Sequence, residues 1–224
     1  MVTIVSTKVL TEGQSSGLLS AGIRLIAYDF IGIKNVSMWL SLPYDLLIVT
    51  SQNAVRSLLA YEGVEAVKET PVLCVGKQTE KLLALNGFKV LYSSDYAIEL
   101  IAYIKEHWEE LKGYKKVVFL AGSNRLDTLP NFFKERRWEV EEVLAYETVL
   151  TPVVIEEKVD GILFFSPSGV ESYCKSNTVG TEKVYCIGAT TAEVARRYWE
   201  EVVVSNEPSI EGVIRLVEGS GERL

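Results

Sequence analysis

Histidine is almost missing from this chain: one residue in 224, at position 107. That scarcity argues against Ser-His-Asp hydrolysis and against histidine-rich metal centres. Cysteine is nearly as sparse, with three residues that cannot all pair and no two at metal-ligand spacing. Cys74 and Cys186 sit in apolar runs that read as buried strands, and Cys174 lies on a predicted helix, so all three read as small buried hydrophobes in a reducing compartment. No apolar run approaches the ~20 residues of a membrane span, and Met1 to Thr7 carries no basic leader. The expectation is a cytoplasmic protein without a membrane partner. Positive charge is also short: 23 Lys and Arg against 30 Asp and Glu give a net −7, with no basic stripe to follow a phosphate backbone, which excludes general nucleic-acid binding. Neither Gly-x-x-x-x-Gly-Lys-Ser/Thr nor Gly-x-Gly-x-x-Gly occurs, so a triphosphate or dinucleotide held in the usual way is not expected. No cofactor and no metal are predicted.

What the chain does contain is a repeat. Leu46-Leu47-Ile48-Val49-Thr50-Ser51 returns as Ile162-Leu163-Phe164-Phe165-Ser166. Leu73-Cys74-Val75-Gly76-Lys77-Gln78-Thr79 returns as Tyr185-Cys186-Ile187-Gly188-Ala189-Thr190-Thr191, 112 residues later. Ile98-Glu99 and Ile101 reappear as Ile210-Glu211 and Val213, and Ala27-Tyr28 parallels Ala145-Tyr146. Several matches in one order point to a duplicated unit.

Short apolar runs alternate with helical patterns in both copies. The predicted strands are Val2 to Ser6, Arg24 to Tyr28, Asp45 to Thr50, Val72 to Val75 and Lys89 to Tyr92, then Lys116 to Ala121, Glu139 to Leu144, Gly161 to Phe165, Lys183 to Ile187 and Val202 to Val204. Nearly continuous Val, Ile, Leu and Phe suit strands covered on both faces, as in a parallel sheet. The clearest predicted helix runs from Tyr96 to Lys112, with Asp95 as its N-cap, Gly113 beyond its end and His107 on a solvated face. The tail from Glu218 to Leu224 is polar and reads as frayed. An α/β fold with parallel sheets follows.

Polar residues gather just past the strands' carboxyl ends. These loops hold Ser51, Gln52 and Asn53; Gly76, Lys77 and Thr79; Ser123, Asn124 and Arg125; Ser166, Pro167 and Ser168; and Gly188, Thr190 and Thr191. Helix capping accounts for any one of them. Five together, some at equivalent places in two copies, are better explained by a shared anion-binding rim, because ligands of open α/β sheets bind there and helix N-termini favour anions.

Val49-Thr50-Ser51-x-Asn53-Ala54-Val55 and Val75-Gly76-x-x-Thr79 resemble the early blocks of uroporphyrinogen-III synthases. Leu120-x-Gly122-x-x-Arg125-x-x-Leu129-Pro130 with Ala145-Tyr146-x-Thr148 resembles the central block. Phe164-Phe165-Ser166-Pro167-Ser168-Gly169-Val170 and Ile187-Gly188-x-Thr190-Thr191-Ala192 resemble the closing blocks. Where members often begin with a strand and Thr-Arg-Pro, this chain has Thr7-Lys8-Val9. The resemblance implies two similar flavodoxin-like domains with exchanged halves and a ligand cleft between them. One domain would comprise residues 1–29 and 151–224 and the other 34–146, joined by linkers 30–33 and 147–150.

It also implies a cofactor-free lyase of heme biosynthesis, and the lack of an evident exposed apolar helix face predicts a monomer. Such an enzyme closes hydroxymethylbilane, a linear tetrapyrrole octacarboxylate, with loss of water and inversion of the terminal pyrrole. Uncatalysed closure gives the uninverted isomer, so the task is largely one of positioning. Lys8, Lys77 and Arg125 would meet carboxylates beside the loop amides and hydroxyls. Tyr146 would assist the leaving hydroxyl, since a phenol keeps its proton at neutral pH. Two other readings fit the doubled α/β plan: a two-lobed binding module for a small polyanion, and a nucleotide-dependent group-transfer enzyme.

Overall fold

The computed structural model describes residues 1–220, so Gly221 to Leu224, the end of the tail expected to fray, lie outside the described residues. In chain order the elements are β1 (Thr3–Ser6), α1 (Glu12–Ser20), β2 (Arg24–Ala27), β3 (Ile31–Asn35), β4 (Leu46–Val49), α2 (Gln52–Leu59), β5 (Val72–Val75), α3 (Lys77–Leu85), β6 (Val90–Ser94), α4 (Ala97–Glu106), α5 (Trp108–Leu111), β7 (Val117–Gly122), α6 (Thr128–Arg136), β8 (Val140–Leu150), β9 (Gly161–Phe164), α7 (Pro167–Ser176), β10 (Lys183–Cys186), α8 (Ala189–Ala195), β11 (Val202–Val204) and α9 (Ile210–Ser220). Each predicted strand is present. The chain divides into two compact units, Met1–Gly32 with the residues from Val149 onward, and Ile33–Thr148.

The first unit holds a five-stranded sheet in the order β11-β10-β9-β1-β2, with every neighbouring pair parallel. Ile4, Leu163 and Tyr185 face one buried cluster while Val5, Ile162, Phe164 and Val184 face another. The second unit's strands belong to a sheet ordered β3-β8-β7-β4-β5-β6. There Leu46, Ile48, Val117 and Phe119 face one cluster, and Leu47, Val49, Val118 and Leu120 the other. Successive strand residues point to opposite faces, so a strand covered on both sides must be apolar throughout. β4 is Leu-Leu-Ile-Val with all four side chains 0% exposed. Each contributes roughly 1.5–3 kcal/mol by burial, and an Ile48→Ala cavity costs about 2–5 kcal/mol.

Three local features differ from expectation. The long helix stops at Glu106 and a short one resumes at Trp108; His107 lies at the junction, half-buried, its ring 4.2 Å from that of Tyr103 and its Nδ1 3.1 Å from the Tyr103 carbonyl. It therefore packs rather than lying on a solvated face. Asp95 is not the cap of α4: the Glu99 carboxylate accepts from the amides of Asp95 and Tyr96 at 2.9 and 3.1 Å. At the other end, Glu218 to Ser220 complete α9 instead of fraying. Its buried face, including Val213 and Val217, holds the helix to its unit.

Residues 147–150, expected as linker, form the end of the eleven-residue strand β8, and β3 lies beside it. Lys34 and Glu147 form an ion pair at 3.3 Å, and the Thr151 amide donates to the Phe30 carbonyl at 3.0 Å. Phe30 itself is fully buried in the first unit, so it acts as core.

Candidate active site

Because the strands of each unit's core run parallel, their carboxyl ends share one edge, and the loops marked by sequence come together there. In the second unit β8, β7, β4 and β5 are consecutive neighbours. The ends of β7, β4 and β5 carry Gly122 to Arg125, Ser51 to Asn53, and Gly76 to Thr79, and Tyr146, within β8, lies level with the end of β7. In the first unit β10, β9 and β1 are neighbours, bringing Gly188 to Thr191, Ser166 to Ser168, and Lys8 to one edge. In the first sheet the direction of the chain order reverses between β1 and β9, and in the second between β7 and β4, the switch points where open α/β sheets take ligands.

The matched serines are helix caps. Ser51 Oγ accepts from the Ala54 amide at 3.1 Å, and Ser166 Oγ accepts from the Gly169 amide at 3.0 Å, with Pro167 in the first turn of α7. Thr79 and Thr191, 4% and 2% exposed, are interior side chains, and Ser168 is buried too. As placed, these three hydroxyls offer almost no surface to a ligand, because the helix turns that carry them pack inward. Gly76 has φ +93°, a conformation that a side chain resists, and its amide donates to the Ser94 carbonyl at 2.7 Å. Gly188 begins α8 without a side-chain cap, and Thr190 is exposed.

The cations separate into two kinds. Arg125 is enclosed by acid: its guanidinium pairs with Asp127 and, through Nε and Nη2, with both oxygens of Glu142. The Glu142 hydrogen bond is the chief reason that its pKa lies above the usual arginine value. Lys77 Nζ lies 3.3 Å from Asp95. Lys8 is exposed past β1. Arg56, not among the cations expected at the rim, is different again. It is exposed on α2, its Nη1 donates to Asn53 Oδ1 at 3.0 Å and its Nη2 to Gln52 Oε1 at 3.3 Å. Two neutral amides hold that guanidinium without cancelling its charge. The signal was available in the sequence, since Arg56 follows Asn53 and Gln52 by three and four residues, the spacing of neighbours on a helix. Gln52 and Asn53 thereby act on Arg56.

Tyr146 occupies a built position. The β7–β8 register pairs Ala121 with Leu144 but Gly122 with Tyr146, so Ala145 is an extra residue and the strand bulges. A bulge re-aims the following side chain. Ala145 is buried in the core, and Tyr146 packs against the same cluster, half-exposed. The Ser123 amide donates to the Tyr146 carbonyl at 3.0 Å, and the Thr148 amide donates to Ser123 Oγ at 3.0 Å. Asn124 Oδ1 lies 3.2 Å from Ser123 Oγ, accepting its proton.

Cys74 and Cys186 are buried as expected, and Cys174 is half-buried. Burial pushes the thiol of Cys174 up to about 11 and that of Cys186 up to about 12, and raises that of Cys74. Thiols so placed stay neutral at physiological pH and are poor nucleophiles. Among the described residues no helix is long and apolar enough to cross a membrane.

Residues 16–215 match the family model described as uroporphyrinogen-III synthase HemD. The fold is similar to that of uroporphyrinogen-III synthetase from Helicobacter pylori, with TM-score 0.73 and 20% identity over 98% of this chain and 99% of that one. It is also similar to a mutant uroporphyrinogen III synthase from the extremely thermophilic bacterium Thermus thermophilus, with TM-score 0.65 and 14% identity over all of both chains. Among curated proteins none matches by sequence.

Proposed function

The chain belongs to the uroporphyrinogen-III synthase family, and on that premise we propose that Tyr146 is the proton donor with which it closes hydroxymethylbilane to uroporphyrinogen III. The family's members are lyases of heme and porphyrin biosynthesis. The observation that carries the assignment is the half-buried tyrosine level with the carboxyl end of β7, aimed by a bulge and tied through Ser123.

The phenol donates its proton to the substrate's hydroxyl as the C–O bond breaks, and water leaves. The adjacent pyrrole nitrogen supplies the electron pair, giving an electrophilic azafulvene. The terminal pyrrole then attacks through its substituted carbon. The resulting spiro intermediate fragments and recloses with that ring inverted, and the ring proton lost at reclosure restores the phenol. Every intermediate is reactive, so holding the chain in one geometry is the larger part of the task.

Each unit's rim takes a share of the carboxylates. Arg56 supplies the principal charged contact of the second unit and Lys8 that of the first, beside the loop amide at Gly188; the Gly76 amide is already held by the Ser94 carbonyl. Ser51, Ser123, Asn124, Ser166, Pro167 and Thr190 shape the rim, while Lys77 and Arg125 contribute less because carboxylates already engage them. An acidic protein can hold an acidic ligand where positive potential is concentrated.

The finer architecture belongs to the same proposal. Counting β7 and β8 as first and second in their unit, both sheets have the order second-first-third-fourth-fifth, which supports two flavodoxin-like copies with exchanged halves. Domains 1–29 with 151–224 and 34–146, joined at 30–33 and 147–150, remain the proposed division, with the strand ends absorbing part of each joint.

The deciding experiment is Tyr146→Phe assayed with fresh hydroxymethylbilane and chromatographic separation of the two isomers. The variant is expected to lose rate on the order of 100-fold or more and to leave mostly the uninverted isomer. Undiminished formation of the inverted isomer removes Tyr146 from the reaction.

A further inference from the structure

We infer that Gly122 and Ser123 are positioning residues for the Tyr146 phenol, and that the missing side chain at 122 is what lets the phenol reach its working place. The inference rests on the reading of Tyr146 as proton donor. Gly122 ends β7, is buried, and stands opposite Tyr146 because of the bulge at Ala145. The ring lies across the space a side chain at 122 would fill. A methyl group there would sit 2.3 Å from Tyr146 Cζ, 2.5 Å from its hydroxyl oxygen and 2.7 Å from Cε2. Carbon atoms in contact prefer about 3.5–4 Å, so the ring would have to move.

Ser123 holds the same tyrosine by its backbone. Its amide donates to the Tyr146 carbonyl at 3.0 Å, and its hydroxyl oxygen accepts from the Thr148 amide at 3.0 Å while donating to Asn124. One serine thus ties the chain at Tyr146 and two residues beyond. Its hydroxyl, marked by sequence as a ligand contact, is already committed, and it acts on the substrate through Tyr146. A donor that must reach one hydroxyl of a flexible chain needs such placement, since a misplacement of about 1 Å costs on the order of 100-fold in rate.

The test compares Gly122→Ala, Tyr146→Phe and the double variant, measuring kcat, KM and isomer ratio, with thermal unfolding to confirm folding. Gly122→Ala is expected to lower kcat on the order of 100-fold and to shift product toward the uninverted isomer. KM should stay within about twofold, as for an interaction made only in the transition state. Added to Tyr146→Phe, it should lower kcat by less than about twofold more, because both changes remove the same interaction. Wild-type kinetics in Tyr146→Phe overturn the donor reading and this inference with it. An impaired Tyr146→Phe beside a Gly122→Ala enzyme with wild-type kcat and isomer ratio overturns the inference alone. If Gly122→Ala does not fold, Ser123 decides: Ser123→Ala is expected to lose kcat several-fold and Ser123→Thr, which keeps the hydroxyl, to recover it, whereas an unimpaired Ser123→Ala overturns the proposal.

Discussion

Tyr28 and Tyr146 each follow an alanine, the first just past β2 where it pairs with β1 and the second on β8 where it pairs with β7, yet their surroundings differ. Tyr146 follows a bulge, packs on the core and lies over a glycine. Tyr28 follows β2, whose register with β1 runs without a shift, and its side chain is 47% exposed. The two rims otherwise share strand order, a capping serine before the third strand's helix and a buried threonine in the next helix. The two sheets thus share a frame, and one strand irregularity distinguishes them. On the proposed mechanism the unit with the irregular strand carries the chemistry and the other binds.

The sharpest break of that comparison is the pair Tyr146→Phe and Tyr28→Phe. The first should lose rate on the order of 100-fold or more, the second less than about twofold, since an exposed side chain is replaced without a packed partner. Equal losses in steady-state assays would show that both copies carry chemistry. Next come the cations. Arg56→Ala should raise KM roughly tenfold, the loss of one charge-assisted contact, and Arg125→Ala should leave KM near its starting value. The reverse ranking would return the anion site to Arg125.

Smaller effects test what is the same in both units. Ser51→Ala and Ser166→Ala should each lower stability by about 1 kcal/mol in denaturant titrations, the usual worth of an N-cap, with isomer ratio unchanged. A changed ratio would make that hydroxyl a ligand contact. The smallest effect is at high pH. Burial, and then hydrogen bonding to Glu141, pushes Tyr44 up to about 12, while burial and Glu182 push Tyr173 up to about 12. Both folded values exceed the unfolded phenol's ~10. Their stabilisation is therefore whole below pH about 10 and is lost as pH rises through about 12. Tyr44→Phe in one unit and Tyr173→Phe in the other should each flatten the fall of the denaturation midpoint across that window, and an unaltered slope would reject the assignment.

Much of the fold and part of the rim are legible in the order of residues alone. β4 and β9 announce themselves because strands covered on both faces must be apolar residue after residue. Ser51 and Ser166, which the pattern of five loops assigns to a ligand rim, cap their helices through bonds that span three residues. Misreadings arise where local pattern meets a longer contact. The helix through His107 has an unbroken apolar stripe, but it breaks where the ring stacks on Tyr103. Arg125 reads as a rim cation until β7 and β8 bring Glu142, 17 residues on, against it.

By itself the sequence determined the α/β class, the strands and the family, because each rests on periodicity, spacing or ordered motifs along the chain. Tertiary structure alone decided which cation keeps its charge, which hydroxyls are buried, and that Tyr146 rather than Tyr28 is held over a glycine. Those properties depend on distances through space. The residues that set them, Gly122 with Tyr146 and Arg125 with Glu142, meet only when neighbouring strands come into register.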